Sequence, residues 1–131
     1  SQAEVKTGLK TREVVTLYNG EKKDVDHIND PAAGKVYLLL NLGLAKTATG
    51  STSFEWKEIV VEDQTENRYQ RLENDSFITQ HNYSPRMTGL TIRFGENKGW
   101  ICFEIPQTAA DGKLFLVHTT SEGTQKLEIK K

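Results

Sequence analysis

A single cysteine, Cys102, rules out an intrachain disulfide, so packing must hold the chain together. Its absence of disulfides does not fix the compartment, because a chain of 131 residues is long enough to fold without them. A chain of this length buries roughly two-thirds of its unfolded surface, which requires neither cross-links nor metal. No stretch approaches the roughly 18 apolar residues needed to cross a bilayer. Neither sign of charge dominates: the net charge is −1 and the pI about 6.3. No global field therefore draws in nucleic acid or an anionic membrane. The short basic pairs Lys22–Lys23 and Lys130–Lys131 are offset by neighbouring acids and read as solvated surface. The opening SQAEVKTG is polar, with neither a signal peptide nor an initiator Met. It reads as a processed chain from which any targeting segment has been removed. A phosphate loop, a dinucleotide fingerprint, a haem motif and a nucleophile elbow are all missing. So are internal repeats and low-complexity tracts.

What is present is a set of short alternating segments separated by turn signals. The 36% hydrophobic and 27% charged fractions suit a small core under a heavily charged surface. The most informative stretch is Gly95–Pro106, GENKGWICFEIP. Gly95 and Gly99 bracket a short polar loop. From Trp100 the pattern alternates, with Ile101, Phe103 and Ile105 on one face and Trp100, Cys102 and Glu104 on the other. Pro106 cannot donate to a ladder and ends the strand.

Upstream, Ser1–Thr11 lacks periodicity and reads as a polar lead-in, leaving 12–131 as one domain. Arg12–Asn19 reads as a strand closed by the Asn19–Gly20 turn, and Glu21–Gly34 as a long polar loop. Lys35–Lys46, KVYLLLNLGLAK, is the most apolar segment. It reads as a central strand with Leu38, Leu40, Leu42 and Leu44 inward; a helix is possible by propensity, but Val36, Tyr37, Asn41 and Gly43 argue against it. Ser53–Val61 is a further strand, with Phe54 and Trp56 on one face and a bulge expected at Lys57–Glu58. Glu66–Arg71 is a short strand, Leu72–Met87 is irregular, and Gly89–Phe94, Lys113–Thr119 and Thr124–Lys130 complete the set. About eight strands without an amphipathic helix predict an all-β sandwich, immunoglobulin-like, of two antiparallel sheets.

Three places carry a family resemblance: the apolar strand GKVYLLLNLGLAK, the aromatic strand FEWKEIVVED followed by RYQR, and the ending GLTIRFGENKGWICFEIPQTAADGKLFLV. In these the chain resembles the immunoglobulin-like (telokin-like) domains of bacterial cell-envelope lipoproteins, a family of unknown function grouped with the mycobacterial secreted immunoprotective antigen. The resemblance covers about Gly34–Val117. The family often carries Asn just after the long strand, where this chain has Lys46–Thr47, and it usually has a lipid-anchor cysteine at the mature N-terminus, which is absent here. It implies a domain secreted or anchored at the bacterial cell surface, with any lipid anchor upstream, and a protein or cell-envelope ligand as partner. It brings no catalytic residues and no cofactor.

Chemistry-bearing residues are few. The segment Asp24–Asp30 concentrates oxygen ligands in Asp24, Asp26, Asn29 and Asp30, which would suit calcium. The spacing is not that of an EF-hand and its turn glycine is missing, so the ordinary reading is an Asx-rich turn. His27, His81 and His118 are too far apart for a zinc pattern. Cys102, beside Glu104, reads as a packed thiol rather than a nucleophile. Loops at the ends of a sandwich are where recognition concentrates. Tyr69, Arg71, His81, Tyr83 and Arg86 are therefore the candidate partner surface, against the alternative that their segment tucks Phe77 and Ile78 into the core. No enzyme is expected; the competing readings are a structural spacer of a surface lipoprotein and a calcium or small-ligand carrier built on the acidic 24–30 segment.

Overall fold

The computed structural model describes residues 2–46, 52–53, 58–87, 91–92, 95–120 and 123–131. The chain is an all-β sandwich of antiparallel sheets with no closed barrel among these residues. One sheet has the order β1-β4-β9, from β1 (Gln2–Lys6), β4 (Lys35–Lys46) and β9 (Gly95–Pro106). The facing sheet has the order β11-β10-β6-β7, from β6 (Ile59–Asp63), β7 (Arg68–Tyr69), β10 (Leu114–Thr120) and β11 (Gly123–Glu128). Two further pairs stand apart: β2 (Leu9–Thr16) with β3 (Lys22–Asn29), and β5 (Thr52–Ser53) with β8 (Thr91–Ile92).

Alternation on β4 and β9 builds the core. Leu38, Leu40 and Leu42 meet Ile101, Phe103 and Ile105 on the inner face, where Val61 and Leu114 of the second sheet close over them. Full burial of each such side chain stabilises the fold by about 1.5–3 kcal/mol. The outer face of the same pair is also buried. Tyr37, Leu39 and Cys102 pack there with Leu9, Ile78 and Tyr83, and with the partly covered Leu72, Phe77 and Trp100. Leu39 is thus as deeply buried as Leu38, and β4 is apolar on both sides because both sides are covered. Burial also pushes the Cys102 thiol up to about 12, with Asp75 and Glu104 adding to it, so it stays protonated and packed.

Several expectations are corrected. The polar opening is not a frayed lead-in: Ala3 and Val5 pack against the core while β1 pairs with β4. Glu21–Gly34 is not a loop but contains β3, paired with β2 from Leu9↔Asn29 to Thr16↔Lys22. The polar Glu96–Lys98 segment belongs to the β9 ladder. The irregular Leu72–Met87 stretch holds a 3-10 helix, Ser76–His81, and its Ile78 is buried as the core-tucking alternative required. A short helix, α1 (Gln107–Ala110), follows β9, with Ala109 and Ala110 buried. The Phe54 and Trp56 face, the Lys57 half of the expected bulge, and most of Gly89–Phe94 lie outside the described residues.

Candidate functional site

The segment covering the outer face of β4 and β9 is organised by one acid. Asp75 is 0% exposed and receives Arg71 Nη2 on both carboxylate oxygens, at 3.1 and 3.2 Å, and Arg86 Nη1 at 2.6 Å. Arg71 Nη2 is thus shared between the two oxygens while Arg86 adds a second guanidinium, and charge-assisted bonds of this kind are the stronger ones. Arg86 is delivered by a backbone splice: Trp100 N–H donates to Pro85 O at 2.9 Å and Met87 N–H to Trp100 O at 3.0 Å, a short parallel bridge onto β9. Tyr83 lies edge-on to Trp100, ring centroids 4.9 Å apart. Burial, then its hydrogen bond to Glu4, raises its hydroxyl to about 12.

His81 closes the other end of the 3-10 helix. Its Nδ1 lies 2.7 Å from Thr11 Oγ1 and its Nε2 2.8 Å from Asn29 Oδ1, so the ring spans β2 and β3. Burial, and secondarily His27, lowers its pKa. Tyr69 is elsewhere. It donates to Asp63 Oδ2 at 2.8 Å in the turn between β6 and β7, where Asp63 also accepts from Thr65 and Asn67. Burial alone would raise the Asp63 carboxyl, but those hydrogen bonds, Tyr69 first, hold it well below the usual carboxylate range. Next to it, Glu62 takes Lys126 at 2.7 Å and Arg68 at 3.1 Å, which lowers its pKa against the cost of burial.

The five residues expected to form a partner surface therefore do not form an open one. Arg71 and Arg86 converge on Asp75, Tyr83 packs beside Trp100, His81 faces the β2–β3 hairpin, and Tyr69 serves a different turn. Each is engaged with its own protein, and the sequence did not reveal this because nothing local marks an Arg as having a buried acid to hold.

The oxygen-rich segment fares similarly. Asp24 and Asp26 lie on the exposed face of β3 opposite Val14 and Arg12, while Asn29 lies on the inner face with His27. Successive strand residues point to opposite faces, so these oxygens diverge. Asp26 accepts from Arg12 Nε at 3.0 Å, which lowers its pKa; Asn29 serves His81; and Asp30 Oδ1 crowds Gly8 at the hairpin base. No group of three His, Cys, Asp or Glu among the described residues could hold a metal. An open groove of about 480 Å³ near Gly112 is lined by Asp111, Lys113, Glu128, Lys130 and Lys131. Its charges answer one another: Glu128 faces both Lys113 and Lys130, and Lys131 donates to Gly112 O at 2.6 Å.

Sequence reasoning missed the exposed apolar residues of the hairpin. Val14 is 61% and Ile28 56% exposed, on its outer face, and Leu17 and Tyr18 sit at its turn, with Tyr18 fully open to solvent. The signal was available: Leu17 and Tyr18 immediately precede Asn19–Gly20, and Gly20 takes the left-handed conformation that the turn needs, at φ +86°.

No family matches the chain, and no curated protein does. A solved structure does: the 2.2 Å crystal structure of a conserved hypothetical protein from Bacillus anthracis, 14% identical, with a TM-score of 0.57 over 99% of each chain. At that identity the likeness speaks for the fold alone. Among the described residues no helix is long and apolar enough to cross a membrane.

Proposed function

We propose that this is a non-enzymatic binding domain, displayed outside a bacterial cell, whose recognition element is the β2–β3 hairpin. The observation that carries the reading is the contrast between body and hairpin. Among the described residues, Tyr69, Arg71, Tyr83 and Arg86 of the body are engaged internally and Leu127 is its one exposed large apolar side chain, whereas the hairpin leaves Val14, Leu17, Tyr18 and Ile28 uncovered. Single exposed apolar residues are ordinary, but Val14, Leu17 and Tyr18 gather toward the tip of one narrow arm, with Ile28 beyond the Arg12–Asp26 pair nearer its base, which is the kind of exposure that marks an interaction site. Tyrosine is among the residues that dominate binding energy. Among the described residues each hairpin strand pairs only with the other, so an extended peptide has a strand edge to add to. The bacterial surface location is supported by the resemblance of the three segments within Gly34–Val117 to envelope-lipoprotein domains.

The test is a cross-linking pull-down from a bacterial cell-envelope fraction, comparing the wild-type chain with a Leu17→Ser, Tyr18→Ser double variant. One specific partner, lost in the variant, supports the reading. Equal capture by both forms, or no partner above background, overturns it and leaves a spacer as the better description.

A further inference from the structure

The hairpin tip carries the one asparagine of this sequence that is followed by glycine, Asn19–Gly20. Both residues are exposed. They lie at the far end of the ladder that runs from Leu9↔Asn29 to Thr16↔Lys22. The arm is held to the body at its base, by Leu9 in the outer-face core and by His81 on Thr11 and Asn29. An asparagine carboxamide is a weak electrophile, and the backbone nitrogen of the next residue is the nucleophile within its reach. A side chain on that residue shields the nitrogen, and glycine has none. The surroundings of Gly20 are open as well: even an added Cβ would have nothing within 4 Å.

Three hydrogen bonds set the local geometry. Glu21 N–H donates to Asn19 Oδ1 at 3.0 Å. This turns the carboxamide forward along the chain, toward the Gly20 peptide, and polarises its Cγ. Gly20 N–H donates to Leu17 O at 2.9 Å, and Leu17 N–H to Glu21 O at 2.6 Å. The Gly20 bond occupies the nucleophile, so attack waits for that bond to open. A turn at the tip of a two-stranded arm opens at small cost. Asp111–Gly112, the chain's one Asp-Gly pair, makes the contrast. A Cβ on Gly112 would lie 2.8 Å from Gln64 Cδ and Nε2. Gln107 Nε2 donates to Asp111 Oδ1 at 3.1 Å, and Lys131 Nζ to Gly112 O at 2.6 Å. That pair is packed, and its acid is engaged.

We propose that Asn19–Gly20 is a self-modifying site that remodels the hairpin tip without an enzyme. Hydroxide takes the proton of Gly20 N, and the nitrogen attacks Asn19 Cγ. The new C–N bond closes a five-membered succinimide as the carboxamide C–N bond breaks and ammonia leaves. Water then opens the ring at either carbonyl, so one water enters, one ammonia departs, and nothing is oxidised or reduced. Opening at Cα's own carbonyl sends the main chain through Cγ and gives isoaspartate; opening at Cγ gives aspartate. Aspartate keeps an oxygen for Glu21 N–H and adds a negative charge beside Glu21. Isoaspartate inserts an extra backbone atom between the Asn19 Cα and the Gly20 nitrogen, which breaks the two bonds that close the turn and loosens the arm. The chemistry is independent of whether the hairpin binds a partner.

The folded protein and the free peptide Glu13–Lys22 are incubated side by side in mildly alkaline water labelled with heavy oxygen, then mapped by peptide mass spectrometry. Residue 19 is expected to gain one labelled oxygen and to separate into two chromatographic forms, severalfold ahead of every other asparagine and of any isomerisation at Asp111. The rate in the folded protein is expected to stay within about tenfold of the free peptide's, as a low-cost opening implies. It is expected to fall in mildly acidic buffer, where hydroxide is scarcer. Gly20→Ala is expected to slow conversion severalfold in protein and peptide alike, so the comparison holds even where the variant loosens the tip. Conversion confined to the free peptide, Asn19 no faster than the other asparagines, or a Gly20→Ala protein that converts as fast as wild type overturns the proposal. The two products are then separated as intact proteins, and amide exchange over residues 14–24 is compared. Faster exchange in the isoaspartate form supports the remodelling; equal exchange in both forms refutes it.

Discussion

Replacing Gly99 with alanine is expected to damage this protein more than any other single added methyl described above. A Cβ at Gly99 would lie 2.6 Å from Met87 N, 2.7 Å from Met87 Cβ and 2.9 Å from Met87 Cα. Two of those atoms are backbone, and that backbone is pinned by the bonds Met87 N–H to Trp100 O and Trp100 N–H to Pro85 O. No rotamer change relieves the clash, so the 85–87 segment must lift from β9. Overpacking costs about 1–3 kcal/mol. Loss of both backbone hydrogen bonds adds about 1 kcal/mol each. The sum is roughly 3–5 kcal/mol, a large part of the roughly 5–15 kcal/mol that holds a typical domain folded. Urea unfolding followed by tryptophan fluorescence reads it directly, and a thermal melt is expected to fall by roughly 10–20 °C. Gly20→Ala is the control. A Cβ there has nothing within 4 Å, and only the positive φ of +86° is strained, which costs about 1 kcal/mol. A Gly99→Ala loss no larger than that of Gly20→Ala would show that the segment carrying Arg86 is not firmly seated on β9, and the reasoning would fail.

Asp75→Ala leaves Arg71 and Arg86 facing each other without their shared acid, and is expected to cost about 3–5 kcal/mol in the same urea assay. A small effect would mean that water replaces the carboxylate. Asp63 has its folded pKa depressed below the ordinary 3.8, so its contribution is present above pH 3.8 and is lost as pH falls below it. The melting-temperature gap between wild type and Asp63→Asn is accordingly expected to be open at pH 7 and to close below pH 3.8; a gap independent of pH would contradict this.

The long strands were legible in the sequence because burial wrote itself as alternation. Ile101, Phe103 and Ile105 face inward where their spacing put them, and Pro106 stands at the end of the ladder. The hairpin was not legible. Asp24, Asp26 and Asn29 are poor strand formers taken singly. They are held by partners far along the chain: Arg12 answers Asp26, and His81 answers Asn29. Gln2–Lys6 escaped notice because two small apolar residues, Ala3 and Val5, give too short a pattern to read. The candidate surface failed for a related reason. Arg71, Tyr83 and Arg86 have the composition of a recognition loop, and composition does not tell whether the group they bind belongs to another molecule or to Asp75. Exposure of Tyr18 and Val14 is likewise a property of the folded arm, not of their residue types.

Val36 to Leu40 are all buried, with side chains on both faces of β4. In a sheet with one wet face, sliding a strand by one residue would expose its whole apolar set. Here a slip would exchange leucine for leucine on either side, and hydrophobicity would scarcely register the error. Alignment must therefore come from residues that cannot be exchanged. Gly99 falls opposite Leu42, where the Met87 backbone presses in; Asn41 falls opposite Trp100; and Pro106, lacking an N–H, falls opposite Lys35. A variant altered at these positions would keep every feature of its apolar pattern and still be free to thread the wrong way.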